Sequence, residues 1–169
     1  MGVERAWNEP PRWPEATSME FQGTFAVEAP VEKVWDTFMN PRNLAPCMPD
    51  LQLLEVYDPT HFRVIVKVGI SFIKGKFSFD VRVVEQDRPV RARLQAHGKG
   101  RGSAVDVDST VVLIKTARGT EMRWNAEARL VGKLANVGSR LIESTAEKKV
   151  HEFFGCVKGL FEQAEDSSD

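Results

Sequence analysis

The sequence predicts an α+β fold in which a curved, seven-stranded antiparallel sheet wraps around a long C-terminal helix, with two short helices after the first strand. Two observations predict it. Between Leu134 and Gln163 apolar residues recur at steps of three and four, the spacing of one helical stripe. The preceding chain consists largely of alternating apolar and polar segments separated by Gly, Pro and Asp, which is typical of strands. A helix of about thirty residues would be roughly 45 Å long and would cross such a sheet.

The first strand and the two short helices come at the start of the predicted domain. From Glu20 to Glu28 apolar and polar residues alternate as in a strand with one buried face. Pro30 ends this strand and suits the first turn of a helix, and the apolar residues of 31–38 follow at helical spacing. A second short helical turn is expected over 41–44.

Six further segments with strand periodicity complete the predicted sheet. They are separated by short turns that contain Pro, Asp or Gly. Consecutive strands joined in this way pair as an antiparallel meander, and the long helix then covers the apolar side of the sheet. The six segments are 51–56, 62–68, 77–83, 91–97, 105–113 and 122–130.

The chain of 169 residues fits one domain. We expect an irregular N-terminal arm over residues 1–18, the domain itself over 19–165 and a tail over 166–169. No apolar run reaches the length of about eighteen residues that a membrane span needs, and the N-terminus lacks the pattern of a signal peptide. We therefore expect a cytoplasmic protein.

No constellation of catalytic or metal-binding residues is evident, and we expect no metal site. The three histidines are not spaced as metal ligands, and no nucleophile motif occurs. Cys47 and Cys156 lie far apart in the chain, so we expect two buried free thiols rather than a disulfide or a zinc site. The glycine-rich segment 98–102 leads into a strand, which favours a sharp twist or bulge over a phosphate-binding loop.

Small residues on the inner faces of the fifth and seventh strands predict a cavity under the sheet. Either the helix packs very close to these faces or a cavity remains, and we favour the cavity because large apolar residues are available to form its walls. The small residues are Ala92, Ala96, Gly98, Gly100, Ala126 and Ala128. The mouth is expected at Ile70, Phe72 and Ile73, where it would meet a membrane. The expected lining is Val66, Val68, Phe77, Phe79, Leu94, Ala96, Val111, Trp124, Ala126, Leu134, Leu141 and Thr145.

The middle of the chain is basic, although the whole chain has a net charge of −1. Residues 63–101 carry ten Lys or Arg against three Asp or Glu, a local charge of +7. These side chains fall on outward positions, so we expect a positive outer sheet face that includes Arg82, Arg91 and Arg93. Asp106 and Asp108 share that face as a solvated pair. Such a face suits acidic lipid or a protein partner as well as plain solvent, while the lack of interleaved aromatic residues disfavours nucleic acid.

Four segments of the sequence form a set of motifs: Phe21–Phe25, Ala29–Trp35, the corner Cys47–Asp50, and Gly132–Ile142. Together they resemble the family of the G subunit of carbon monoxide dehydrogenase, which belongs to the START-like (SRPBCC) helix-grip superfamily. The resemblance extends from Met19 to about Gln163. The family usually has Cys-Ile-Pro-Gly at the corner, so this sequence departs from it at the second and fourth positions.

The resemblance implies a helix-grip fold and the non-catalytic binding of a hydrophobic small molecule, such as a quinone or another lipid, with no further cofactor. It also implies service to a carbon monoxide dehydrogenase-type molybdenum hydroxylase in maturation, membrane recruitment or quinone delivery at the inner face of the membrane. Two alternatives stay open: an adaptor that docks on protein or membrane through the basic outer face, and a small enzyme of the cyclase or aromatase type. Few polar groups face the predicted interior, which favours binding over catalysis. They are Ser109, Thr120, Thr145 and the indole of Trp124.

Overall fold

The computed structural model describes residues 17–167, with side chains described as far as Gln163. In chain order the elements are β1 Thr17–Val27, α1 Val31–Phe38, α2 Pro41–Leu44, a 3-10 turn Ala45–Cys47, β2 Leu51–Asp58, β3 His61–Ile70, β4 Ile73–Asp87, β5 Arg91–Gly100, β6 Ser103–Lys115, β7 Thr120–Gly132, a second 3-10 turn Lys133–Asn136, and α3 Ser139–Ser167.

The seven strands form one antiparallel sheet in the order β1-β7-β6-β5-β4-β3-β2. Strands β2 to β7 are a meander, and β1 pairs with β7 from Thr17 opposite Leu130 to Val27 opposite Thr120. A register shift between Val83 and Glu85 of β4 marks a bulge, which bends a strand locally. The long helix α3 covers the apolar face, so the predicted α+β, helix-grip fold is confirmed.

The long helix begins later than the sequence predicts. The apolar stripe places its start at Leu134, but α3 begins at Ser139 and is preceded by the 3-10 turn Lys133–Asn136. Gly138 separates the two, because its φ of 107° lies in a region that an L-residue helix cannot continue through. Leu134 is nevertheless buried.

In the described part of the chain, β1 begins before and α3 ends after the limits of 19–165 that the sequence predicts for the domain. Thr17 and Ser18, assigned to the N-terminal arm by the sequence, belong to β1, and α3 continues to Ser167 inside the predicted tail. The rest of the predicted arm, residues 1–16, and the end of the predicted tail, residues 168–169, lie outside the described residues.

The expectation of two free thiols is wrong. Cys47 and Cys156 form a disulfide across 109 residues of chain, with their Cα atoms 5.4 Å apart. Distance in sequence did not indicate distance in space, because Cys47 ends the first 3-10 turn and α3 passes directly beside it. Cys47 is buried, whereas Cys156 is exposed on the helix surface.

The hydrophobic core is divided into two clusters at opposite ends of the strands. We call the first the aromatic cluster; its buried members are Phe25, Val27, Ala29, Val34, Trp35, Leu44, Cys47, Ala92, Leu113, Met122, Val157 and Phe161. We call the second the turn cluster; its buried members are Met19, Ile70, Ile73, Phe77, Val105, Ala128, Leu130 and Leu134. β1, β6 and β7 each contribute to both clusters from their two ends, so the middle of the inner sheet face lies between them.

Candidate functional site: a compartment between sheet and helix

The candidate site is the inner face of the sheet between the two clusters, on the side that α3 covers. The inward side chains that border it are half-buried rather than enclosed, in contrast to those of the clusters themselves. Ala96 and Ala126 belong to neither cluster and carry too little volume to close the space. From α3, Ile142, Thr145, Ala146 and Val150 are likewise half-buried. We call this space the compartment.

The expected lining residues divide into groups around the compartment. Phe77 and Leu134 are buried in the turn cluster, and Val66, Val68 and Phe79 pack against it. Leu94, Val111 and Trp124 pack against the aromatic cluster. Leu141 is 45% exposed, and its neighbour Ile142 is the residue that packs against the turn cluster.

Two aromatic rings lie flat against glycines of the inner sheet face. A Cβ on Gly23 would lie 2.9 Å from Cζ2 of Trp124, and a Cβ on Gly98 would overlap the ring of Phe79. For the segment 98–102 the sequence favours a sharp twist or a bulge. The pairing of β5 with β4 and β6 runs through Gly98 without a register shift, so no bulge is present at that residue. Because these positions are glycines, the two rings can approach the sheet. The rings therefore fill part of the volume that the sequence predicts to be a cavity.

The inward hydroxyl groups of Ser103, Ser109 and Thr120 are hydrogen-bonded to the backbone. Ser109 Oγ donates to the carbonyl O of Asn125 at 2.8 Å, and Thr120 Oγ1 donates to that of Ala29 at 2.8 Å. Ser103 Oγ accepts from the amide of Leu134 at 2.9 Å. Among residues 17–167, no group of three or more His, Cys, Asp or Glu side chains is placed to hold a metal ion. The arrangement therefore suits an apolar ligand better than acid–base chemistry.

The expected mouth is only partly exposed. Ile70 and Ile73 face each other across the β3–β4 turn and are buried in the turn cluster, at 7% and 2% exposure. Phe72 at the tip of the turn is 60% exposed. Of the three residues expected at the mouth, Phe72 is exposed and the two isoleucines are buried, because a two-residue turn directs both flanking positions to the same inner face.

Three connections between elements lie at the same end of the molecule as Phe72: the β3–β4 turn, the β5–β6 turn and the segment from β7 to α3. The guanidinium of Arg101, in the β5–β6 turn, lies over Gly75 of the β3–β4 hairpin. The side chain of Lys133 lies over Gly102, and its backbone N–H donates to the Gly102 carbonyl at 3.2 Å. Exposed apolar and cationic side chains share this end, which we call the turn end: Phe72, Lys74, Arg101, Lys133, Arg140 and Leu141.

The outer sheet face is more evenly charged than the sequence predicts. Arg93 forms a two-point ion pair with Asp108, at 2.9 and 2.6 Å, and Arg91 pairs with Glu85 at 3.2 Å. Arg82 is exposed on the same face. The hydrogen bond from Arg93 holds the pKa of the Asp108 carboxyl below its ordinary value, against a smaller opposing effect of burial. Asp108 thus balances Arg93 on this face, and Asp106 lies 2.6 Å from Nδ1 of His97. The pairing of its arginines weakens the use of this face as a basic docking surface.

A separate cleft, which the sequence did not suggest, lies at the opposite end of the molecule. It has a volume of about 400 Å³ and sits between the end of β1, the β6–β7 turn and the C-terminal part of α3. Its walls combine both signs of charge with apolar side chains: Ala26, Val27, Glu28, Thr116, Arg118, Thr120, Lys158, Phe161 and Glu162. None of the residues expected to line the ligand cavity borders it.

A comparison with known protein families identifies the family of this chain. The sequence model of CoxG, the G subunit of carbon monoxide dehydrogenase, matches residues 23–160, which includes β1 from its middle onward and α3 as far as Leu160. The chain belongs to the CoxG family. The resemblance drawn from the sequence motifs is thereby confirmed.

Solved structures share the fold of this CoxG-family chain. A conserved protein from Geobacillus kaustophilus superposes with a TM-score of 0.79 at 22% identity, covering 86% of this chain and 97% of that one. A START superfamily protein from Mycobacterium smegmatis gives 0.62 at 12% identity, covering 88% and 98%. A protein from Rhizobium leguminosarum gives 0.62 at 14% identity, covering 88% and 97%. The comparison with curated protein sequences finds no match.

Family and fold together support a ligand-binding, non-catalytic role in general terms. This CoxG-family chain has no helix within residues 17–167 that is long and apolar enough to cross a bilayer. The compartment, which lies within the span of the CoxG match, is therefore the feature on which a functional hypothesis can be built.

Proposed function

We propose that this CoxG-family protein binds a hydrophobic small molecule, a quinone or another lipid, in the compartment between the sheet and α3. In this role it serves a carbon monoxide dehydrogenase-type molybdenum hydroxylase, through maturation, membrane recruitment or quinone delivery. The observation that carries the proposal is the divided core. Half-buried apolar side chains such as Ala96, Ala126 and Val107 border the space between two well-packed clusters.

The chemistry of the walls supports an apolar ligand. Burial of apolar surface contributes about 25 cal/mol per Å², so half-buried Phe79, Leu94 and Trp124 would each gain from a ligand that covers them. The hydroxyls of Ser109 and Thr120 already donate to backbone carbonyls, which leaves them poorly placed to act on a substrate. These contacts favour binding over the cyclase-type alternative.

Quinone binding tests the proposal directly. Purified full-length protein is titrated with decylubiquinone, whose ring quenches tryptophan fluorescence, and an organic extract of the same protein is analysed by mass spectrometry. We expect saturable quenching at one molecule per chain, together with a lipid in the extract. Trp124→Phe is the matched control, because it should reduce the quenching while leaving the stoichiometry unchanged. An empty extract combined with no saturable uptake would refute the proposal.

The turn end supports contact with a membrane during loading or delivery. Phe72 is exposed at the tip of a turn, and Lys74, Arg101 and Lys133 are exposed around it. An aromatic ring surrounded by cations suits the boundary between acyl chains and anionic headgroups. The turn cluster, which borders the compartment, lies directly behind this surface.

Co-sedimentation with phosphatidylglycerol vesicles tests this part of the proposal. Phe72→Ser should weaken vesicle binding about tenfold, equivalent to about 1.4 kcal/mol, because the inserted ring is lost. Tyr57→Ser is the control, since Tyr57 is also exposed but lies at the β2–β3 turn, at the other end of β3. Equal effects of the two substitutions would contradict contact through the turn end.

A further inference from the structure

The segment between the short helices and β2 is fastened on both sides. We call residues Ala45–Asp50 the corner segment. On the sheet side, the carbonyl O of Asp50 accepts from the backbone N–H of Lys67 in β3 at 3.0 Å. On the helix side, Cys47 is bonded to Cys156, and the Asp50 carboxylate pairs with Lys149 Nζ at 2.9 Å. The corner segment therefore spans from β3 to α3.

These fastenings place the corner segment along the flank of the compartment. Lys149 and Cys156 are seven residues apart, roughly 10 Å along α3. Between them lies Phe153, which packs against the aromatic cluster together with Met48 of the corner segment. At its other end, Asp50 is hydrogen-bonded to Lys67, which lies between Val66 and Val68, and to Lys149, which precedes Val150. The corner segment thus bridges β3 and α3 beside residues that border the compartment, and it is held at two points on the helix.

The two helix-side fastenings differ in kind. The ion pair is solvent-exposed, at 44% for Lys149 and 47% for Asp50, and exposed pairs contribute little to holding a segment in place. The disulfide is covalent, and its Cys156 half is exposed on the helix surface while its Cys47 half is buried. A reducing agent therefore approaches the bond from the exposed Cys156 side. Reduction would remove the covalent link and leave the exposed ion pair together with the packing of Cys47 and Met48 in the aromatic cluster.

We infer that Cys47–Cys156 is a redox-sensitive latch that sets how fast the compartment exchanges its ligand; the inference rests on the proposed function. The reductant is a dithiol of the kind found in thioredoxin-type proteins. Its thiolate attacks Cys156 Sγ, the Cys47–Cys156 bond breaks, and after a second exchange the donor is a disulfide. Two electrons and two protons have then passed to the pair, which becomes two thiols. Reduction frees the corner segment from α3 and opens the flank of the compartment.

The experiment compares oxidised and dithiothreitol-reduced full-length protein. Alkylation with iodoacetamide and mass spectrometry counts the thiols, and stopped-flow tryptophan fluorescence measures the release of decylubiquinone. We expect no alkylation before reduction and two alkylated cysteines after it. Release should be roughly tenfold faster from the reduced protein, as expected when a closing segment limits exchange.

Variants separate the latch from a general loss of structure. Cys47→Ser with Cys156→Ser should release the quinone at the fast rate with or without dithiothreitol. The single variant Cys156→Ser, at the exposed position, provides the same comparison if the double variant folds poorly, and circular dichroism checks each fold. Saturable binding with equal release rates in both redox states would overturn this inference alone. Absence of quinone binding in both states would overturn the proposed function and the latch with it.

Discussion

Single glycines determine how closely the side chains of this protein approach its sheet. A Cβ on Gly100, the last residue of β5, would lie 2.6 Å from the carbonyl O of Lys76 and 3.0 Å from Cδ1 of Phe77. Phe77 is among the most completely buried side chains of the turn cluster. Since neither the backbone of β4 nor a fully packed ring can move easily, only glycine fits at position 100.

Gly100→Ala should therefore destabilise the protein by about 1–3 kcal/mol, the usual cost of overpacking a core. Urea unfolding followed by circular dichroism measures the change. Gly69→Ala is the matched control in strand β3 of the same sheet, because an added Cβ there meets nothing within 4 Å. The free energy of unfolding of Gly69→Ala should stay within about 0.5 kcal/mol of that of the parent protein. Equal losses of stability in the two variants would show that strand propensity, and not packing, explains the effect of the substitution at Gly100.

At this scale the sequence predicted which side chains face inward but not what they touch. Alternation along β4 placed Phe77 and Phe79 on the inner face correctly. It did not show that their rings lie over glycines of β5, since that depends on the register between two strands. The Cys47–Cys156 pairing was missed for a related reason: nothing local to either cysteine indicates a partner 109 residues away.

The helix α3 has two halves with different roles. Its C-terminal half contributes Val157 and Phe161, both nearly inaccessible, to the aromatic cluster. Its N-terminal half carries Leu141 in contact with solvent and half-buried residues such as Thr145 over the compartment. The first half therefore covers the candidate site, and the second fixes the helix to the sheet.

Truncation of side chains along α3 should reveal this division. Phe161→Ala should cost about 3–5 kcal/mol of folding stability, as for other buried aromatic residues. Leu141→Ala should change stability by no more than about 0.5 kcal/mol, because much of its side chain is already in water. Thermal or urea unfolding measures both. A large loss for Leu141→Ala would mean that the N-terminal half packs tightly and that the compartment is smaller than inferred.

At the level of elements, local patterns predicted most of the structure. Seven alternating segments, two short helices and one long helix follow from periodicity, and the structure contains all of them. The start of α3 was misjudged because the apolar stripe continues through the 3-10 turn, and only the positive φ of Gly138 reveals the break. The sequence did not indicate that Ile70 and Ile73 are buried, because their burial depends on a turn that reverses the chain within two residues.

The whole molecule is held together at its two ends. The aromatic cluster and the turn cluster are each well packed, while the sheet and α3 connect them across the compartment. Unfilled apolar volume costs stability, about 24 cal/mol per Å³ in measured cases, so the proposal implies that a ligand bound in the compartment stabilises the fold. The existence of small inward residues was predictable, whereas the position of the unfilled volume depends on where α3 and the aromatic rings settle.

The central claim is that the space beside Ala126 is unfilled by protein, and one pair of substitutions tests it most directly. Ala126→Leu should leave the free energy of unfolding unchanged or raise it, while abolishing the binding of decylubiquinone. Ala92→Leu, the same change at a residue only 2% exposed within the aromatic cluster, should cost about 1–3 kcal/mol. If Ala126→Leu destabilises the protein as much as Ala92→Leu, the interior is already full and the account is contradicted.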